Sequence, residues 1–454
     1  MATSIAPVAW ASRLKELEEA RAKTDELFGI VTSEALFDRP IPERHRIIFY
    51  LGHLEAFDWN LIWKGALQRE PFSEELDRLF AFGIDPVDGT LPADRPEDWP
   101  SVGEVREYCR RVRAALDGCL QDKRARDAAT QYEEAFTSGG LMHVAVEHRL
   151  MHAETLAYML HQLPYDRKHP QPQSPPPAPR AGAPARMVTI PAGVATLGQR
   201  RGHAFGWDNE FEEHRVEVPA FRIDAHKVTN GQFLAFVRAG GYDDRSLWTP
   251  EDWAWKEAQG LRQPVFWVRR GERVEYRAMF EQIALPRDWP VYVSHAEASA
   301  YARWKRAGLP SEAQFHRAAY GRTNASESEY PWGNQEPAAK HGKDAATNSA
   351  SANFDFARWD PVSVCAHPAG ASTFGVAGMV GNGWEWTSTV FGSFPGFERF
   401  SFYPGYSADF FDGQHYVMKG GSPRTAACML RRSFRNWFQP HYPYVYATFR
   451  TVED

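Results

Sequence analysis

Residues 165–186 read Tyr-Asp-Arg-Lys-His-Pro-Gln-Pro-Gln-Ser-Pro-Pro-Pro-Ala-Pro-Arg-Ala-Gly-Ala-Pro-Ala-Arg, a proline spacing that no regular element tolerates. Each proline fixes φ and removes a backbone donor, so helix and central strand are both excluded. An extended, semi-rigid polyproline tether is the expectation. A chain of 454 residues also exceeds what one ordinary core supports. The tether at 165–186 is therefore expected to divide two separately packed domains, 1–164 and 187–454.

The two sides differ in texture. Before the tether, a 3.6-residue apolar period runs through 8–29, 41–68, 102–122 and 127–163, with one long connection over 69–100. This predicts a four-helix bundle. Ser101, with Glu104 three residues on, has the form of a capping box for the third helix. After the tether, short β-type runs such as Met187–Ile190 and His214–Val218 alternate with Gly, Pro, Asn and Trp. Helices are predicted near Asn230–Arg238 and His295–Ala307. The expected fold class is an all-α domain followed by an α+β domain, the latter packed with aromatic rings, since most of the 16 tryptophans lie beyond residue 200.

Charge and composition remove several function classes. A net charge of −6 offers no basic field for nucleic acid. No run of 18 apolar residues occurs, and the N-terminus lacks a charged segment followed by an apolar one, so neither membrane insertion nor export is expected. The four cysteines form no CxxC pair and suggest no disulfide framework, which favours a reducing, cytoplasmic setting.

The chemistry-bearing motif is His148-Arg149-Leu150-Met151-His152-Ala153-Glu154, inside the apolar helical run 144–160. A spacing of four sets both imidazoles on one helix face, one turn apart, where they can share a metal ion. His53, in the earlier helical stretch Leu51–Phe57, is the third candidate ligand if the two helices pack together. Three protein nitrogens would leave part of the coordination sphere open, but they do not name the metal. Glu154 is a candidate for orienting a ligand from outside the first shell, Glu147 reads as solvated, and His143 and His161 are out of phase.

Beyond the tether the chain carries Ile190-Pro191-Ala192-Gly193, Val228-Thr229-Asn230, Leu309-Pro310-Ser311-Glu312-Ala313-Gln314-Phe315 and Tyr330-Pro331-Trp332-Gly333-Asn334. It continues with Gly378-Met379-Val380-Gly381-Asn382-Gly383-Trp384-Glu385-Trp386-Thr387, Lys419-Gly420-Gly421-Ser422 and a terminal Phe449-Arg450. Together these resemble the formylglycine-generating-enzyme (sulfatase-modifying factor) domain, a variant of the C-type lectin fold. The first half, with its histidine motif, resembles the DinB-like four-helix bundle. The combination is similar to the ergothioneine-pathway sulfoxide synthases, the ovothiol-type synthases and the selenoneine synthases.

That resemblance implies a non-haem iron(II) centre on His53, His148 and His152. It also implies dioxygen-dependent joining of a sulfur or selenium donor to the imidazole C2 of hercynine or histidine. Arg435-Asn436-Trp437-Phe438 resembles the stretch that helps form the family's acceptor pocket. Trp437 and Phe438, with Tyr442, Tyr444 and Tyr446, are candidate walls for a trimethylammonium group, an attraction worth roughly 0.5–2 kcal/mol per ring. Asn436 is a candidate for hydrogen-bonding the acceptor.

Three positions depart from the ergothioneine pattern. Met151 stands where many members carry Gln, and the stretch Phe80–Thr90 is acidic where γ-glutamylcysteine users have an arginine pair. Phe394 falls where several members have a redox-capable tyrosine. The absent arginine pair points to another donor, with a selenosugar the leading expectation because Asp85 and Asp88 can accept sugar hydroxyls. Cysteine or γ-glutamylcysteine is the alternative. Two other readings stand beside this one: a zinc DinB-type thiol transferase or hydrolase, and a non-catalytic lectin-like binding protein. Gly381–Trp386 and Gly420–Ser422 read as fold-defining core. Cys428 lies where formylglycine generators hold part of a cysteine pair; alone, it reads as a buried hydrophobe.

Overall fold

The computed structural model describes residues 10–81, 91–127, 132, 135–136, 139–171, 185–337 and 351–453. The chain divides into two units, one running through Gln171 and including Ser401–Tyr403, the other holding the remainder. No described helix is long and apolar enough to cross a membrane.

The described helices of the first unit are, in chain order, α1 (Trp10–Ile30), α2 (Ile47–Asp58), the short α3 (Glu74–Leu79), α4 (Val102–Gln121), the short α5 (Lys123–Asp127) and α6 (Gly140–Gln162). Helix α1 packs along α6, while α2 packs against both α4 and α6. The burial of α4 follows its sequence: Val105, Tyr108, Cys109, Val112, Leu116 and Leu120 recur on one face and are buried. Helix α6 is buried on nearly every face, and with its apolar residues it takes Glu147, His148, Arg149, His152 and Glu154 inside.

Ser101 caps α4 as expected, its hydroxyl accepting from the Glu104 N–H while the Glu104 carboxylate accepts from the Ser101 N–H. Ser101→Ala is expected to cost the first unit about 1 kcal/mol in chemical denaturation. An unchanged midpoint would show that the cap contributes nothing.

Three differences from the sequence reading have physical causes. Helix α2 gives way at Trp59–Ala66 to a π-helix, whose wider turn periodicity cannot reveal; the Trp59 and Trp63 rings stack there at 4.5 Å. The stretch 127–163 is not one helix, because α6 begins only after Gly139, whose φ of +78° suits glycine. Finally, Tyr165–Arg167 forms a 3₁₀ turn, Lys168 pairs with Val31, and the His169 N–H donates to the Ile30 carbonyl at 2.7 Å. The first residues assigned to the tether thus pack on the bundle; 172–184 lie outside the described residues.

Among the described residues the second unit holds four small sheets and the helices α7 (Asn230–Arg238), α8 (Pro250–Ala258), α9 (His295–Trp304) and α10 (Glu312–Tyr320). Strands β1 (Met187–Ile190), β4 (Phe221–Asp224) and β12 (Val452–Glu453) form one sheet, and β2 (Gly193–Leu197) pairs with β3 (His214–Val218). A third sheet joins β5 (Trp267–Arg270), β6 (Arg273–Arg277) and β7 (Gln282–Ala284). The fourth has the order β10-β9-β8-β11, from Asn436–Phe438, Tyr416–Lys419, Trp384–Val390 and Ala447–Thr448. Ile190, Ala195, Phe221, Ile223, Phe315, Val376 and Met379 form a core between the first two sheets and α10.

The Gly381–Trp386 motif is core. Asn382 adopts φ +61°, and its side-chain amide bonds both the N–H and the carbonyl of Val362 at 2.8 Å. Trp386 is buried with its indole N–H donating to Val293, and the Glu385 carboxylate takes a two-pronged contact from Arg450 at 2.6 and 2.9 Å. Cys428, by contrast, is exposed rather than buried.

Candidate metal centre

Helix α6 carries His148 and His152 one turn apart, and α2, packed against it, carries His53. One nitrogen from each of the three imidazoles lies within 4.8 Å of the others, and all three rings are buried. The Nε2 atoms of His148 and His152 are 3.1 Å apart. His53 Nδ1 is 2.7 Å from the Phe80 carbonyl, a contact that requires the proton on Nδ1 and leaves Nε2 as a lone-pair donor. That Nε2 has no hydrogen-bond partner among the described residues, although it is buried. A buried, unpartnered ring nitrogen beside two others is what a cation would satisfy, and imidazole sets of this kind suit iron, zinc or copper.

Aromatic rings fix the imidazole planes. Phe57 lies flat on His148 at 3.4 Å between centroids, and Phe49 stacks on His53 at 4.8 Å. Burial pushes the His53 pKa down to about 4. It also holds His148 and His152 well below the usual range, helped by the neighbouring imidazoles and Arg149. All three are therefore neutral at pH 7, the state that binds metal.

A Cβ at Gly52 would meet the Phe80 ring at 2.5 Å. Gly52→Ala is thus expected to displace Phe80, and with it the carbonyl that orients His53. Loss of such an outer partner lowers metal affinity by about 10–100-fold, readable by competition with a chelator. Wild-type affinity would show that Phe80 moves without consequence.

Glu154 is buried on the same helix, His53 uses the Phe80 carbonyl, and the Nδ1 atoms of His148 and His152 have no partner among the described residues. Glu147 is buried rather than solvated, and Met151 is partly exposed one residue before His152. Asp85 and Asp88 lie outside the described residues.

Sequence separation concealed one neighbour of the ligands. Ser401–Tyr403 belongs to the first unit, and the Tyr403 ring lies 5.3 Å from Phe57 and 6.4 Å from His148. No local motif marks it. A tyrosine thus stands near the ligands although the Phe394 position lacks one.

Within the second unit the candidate acceptor residues separate into two groups. Trp437 is half-buried and stacks on Phe391 at 4.2 Å, with Tyr406 at its edge at 5.4 Å. Phe438 stacks on Tyr442, which meets Tyr444 edge-on at 5.3 Å. Asn436 Oδ1 accepts from the Trp437 N–H at 2.9 Å. The others are structural. Arg435 donates to Glu312 and to the Asn209 and Gly392 carbonyls, and its guanidinium covers Phe394 at 4.0 Å. Tyr446 is 1% exposed and packs on Tyr292 and Phe266, so it is a core ring and not a pocket wall. Asn209, which sequence reading passed over, is fully buried with neither amide atom partnered among the described residues.

The two halves of the chain match two different families. Residues 171–454 match the model of the sulfatase-modifying factor enzyme 1-like domain, and residues 16–156 match that of the DinB superfamily. The hercynine oxygenase of Mycolicibacterium smegmatis is 34% identical, covering 84% of each chain. That of Mycolicibacterium thermoresistibile is 35% identical over 78% of this chain and 75% of its own. Ergothioneine biosynthesis protein 1 of Neurospora crassa is 28% identical over 94% of this chain and 56% of its own.

Proposed function

The chain belongs to the ergothioneine-type sulfoxide synthase family, and from that premise we propose that it is an iron(II)- and dioxygen-dependent oxidoreductase joining selenium or sulfur to C2 of hercynine. The observation that carries the reading is the convergence of three buried, neutral imidazoles, one with its metal-facing nitrogen unpartnered. Iron(II), when bound, supplies redox chemistry with dioxygen. His53, His148 and His152 hold it, and the stacked Phe49 and Phe57 rings keep the ligand planes fixed and dry.

Trp437 and Phe438 supply aromatic faces for the acceptor's trimethylammonium group, each worth roughly 0.5–2 kcal/mol. Asn436 and the buried Asn209 amide supply polar contacts. Tyr403 takes the proton-donating part that Phe394 lacks. Tyr403→Phe is therefore expected to slow turnover by about 100-fold while leaving metal affinity unchanged; wild-type turnover would remove it from the mechanism. As the new bond forms, the C2–H and chalcogen–H bonds break; their two protons and two electrons convert one oxygen atom of dioxygen to water, and the other oxygen atom oxidises the chalcogen to the sulfoxide or selenoxide.

For the donor we favour a selenosugar over a γ-glutamyl thiol, because the acidic stretch Phe80–Thr90 offers no arginine clamp for a carboxylate. The test supplies the iron-loaded protein with hercynine, dioxygen and, in turn, selenosugar, thiosugar, cysteine and γ-glutamylcysteine. A C–Se product formed most efficiently from the selenosugar supports the reading. Turnover confined to γ-glutamylcysteine would overturn the donor assignment, and equal rates without dioxygen would overturn the oxidative chemistry.

A further inference from the structure

We propose that Arg149 is the positioning residue of the three-histidine centre, fixing the register at which α2 presents His53 to His148 and His152. The inference rests on reading those histidines as one metal site. Arg149 follows His148 directly on α6, and its side chain is 1% exposed. One guanidinium nitrogen donates to Glu55 at 2.9 Å; the other donates to Asp58 at 2.7 Å and to the Leu54 carbonyl at 2.8 Å. All three acceptors lie on α2, within five residues of His53. A planar fork gripping three points on a neighbouring helix resists both sliding and rotation, which a single point contact does not.

The grip continues through the bundle. Glu55 also accepts from Arg113 of α4 at 2.8 Å, and Arg113 holds both oxygens of Asp25 on α1 at 2.7 Å. One line of charge, Asp25–Arg113–Glu55–Arg149, therefore touches α1, α4, α2 and α6. Stability alone is a poor reason for it, since buried ion pairs of this kind are often matched or bettered by apolar residues of similar size. Register is the better reason. A helix rises about 1.5 Å per residue, so a slip of one position would move His53 by more than metal coordination tolerates.

Three variants of the full chain test this by cobalt(II) titration, following the ligand-field bands and affinity. Arg149→Lys keeps the charge but loses the fork. Arg149→Met, combined with Glu55→Gln and Asp58→Asn, removes the network without leaving a buried charge unpaired. Arg149→Met alone removes the fork and strands both carboxylates. Each variant that melts at the wild-type temperature is expected to bind cobalt about 10–100-fold more weakly than wild type, with Arg149→Lys the least affected. Wild-type affinity and bands in the folded Lys variant or the triple variant would overturn the positioning role. Failure of the wild-type protein to bind cobalt would overturn the metal-site reading itself.

Discussion

Replacing His152 by alanine is expected to abolish stable metal binding and lower turnover by on the order of 1,000-fold or more, given that losing an outer partner alone costs about 10–100-fold. The geometry explains the size of the effect. His152 Nε2 sits 3.1 Å from His148 Nε2, and its ring meets His53 edge-on at 5.0 Å between centroids, so no other described side chain stands ready to replace it. Arg149 remains in place, and the vacated volume is lined by Tyr50 and the two remaining imidazoles. Metal analysis and product formation, measured on the same preparation, check the prediction. Metal content and turnover both at the wild-type level would remove His152 from the metal site.

Acidification of the metal-free protein is expected to destabilise both units. Burial pushes His53 in the first unit and His295 in the second down to about 4 from the usual 6.5. Above pH 6.5 both imidazoles are neutral whether folded or unfolded, and they add no pH dependence. Between pH 6.5 and about 4 the unfolded chain takes up protons that the folded chain refuses, so stability falls as pH falls. Each site contributes a slope of up to about 1.4 kcal/mol per pH unit, roughly 3 kcal/mol across the window. Buried Asp58, Asp208, Asp224 and Glu297 are shifted upward and act in the opposite sense. The histidine share is therefore read from paired denaturation curves of wild type and His295→Gln between pH 4 and 7.5. Parallel curves would show that His295 is not held neutral.

Much of this was legible in residue order, and the failures are specific. The period is clear in α4, which buries one face, and Ser101 with Glu104 marks its start by direct hydrogen bonding. The His148–His152 spacing placed both imidazoles on one helix face without any structure. Helices α8 and α10 were missed although their signals were present: Thr249 accepts from the Asp252 N–H, and Ser311 forms a capping box with Gln314. Both are short, and a short period is easily lost among turn residues. Side-chain direction was the larger gap. Nothing in Arg435-Asn436-Trp437-Phe438 tells that the arginine is spent on Glu312 while Trp437 stacks on Phe391. Nor can residue order relate Tyr403 to His148, since their proximity is set by tertiary folding.

The carbonyl that holds His53 belongs to Phe80, which opens the acidic connection bearing Asp85 and Asp88. Anyone grafting a relative's connection into this chain to retune donor preference should splice after Phe80. A splice upstream would alter the basicity of one imidazole along with any change in donor preference, and the two consequences would be confounded in a single assay.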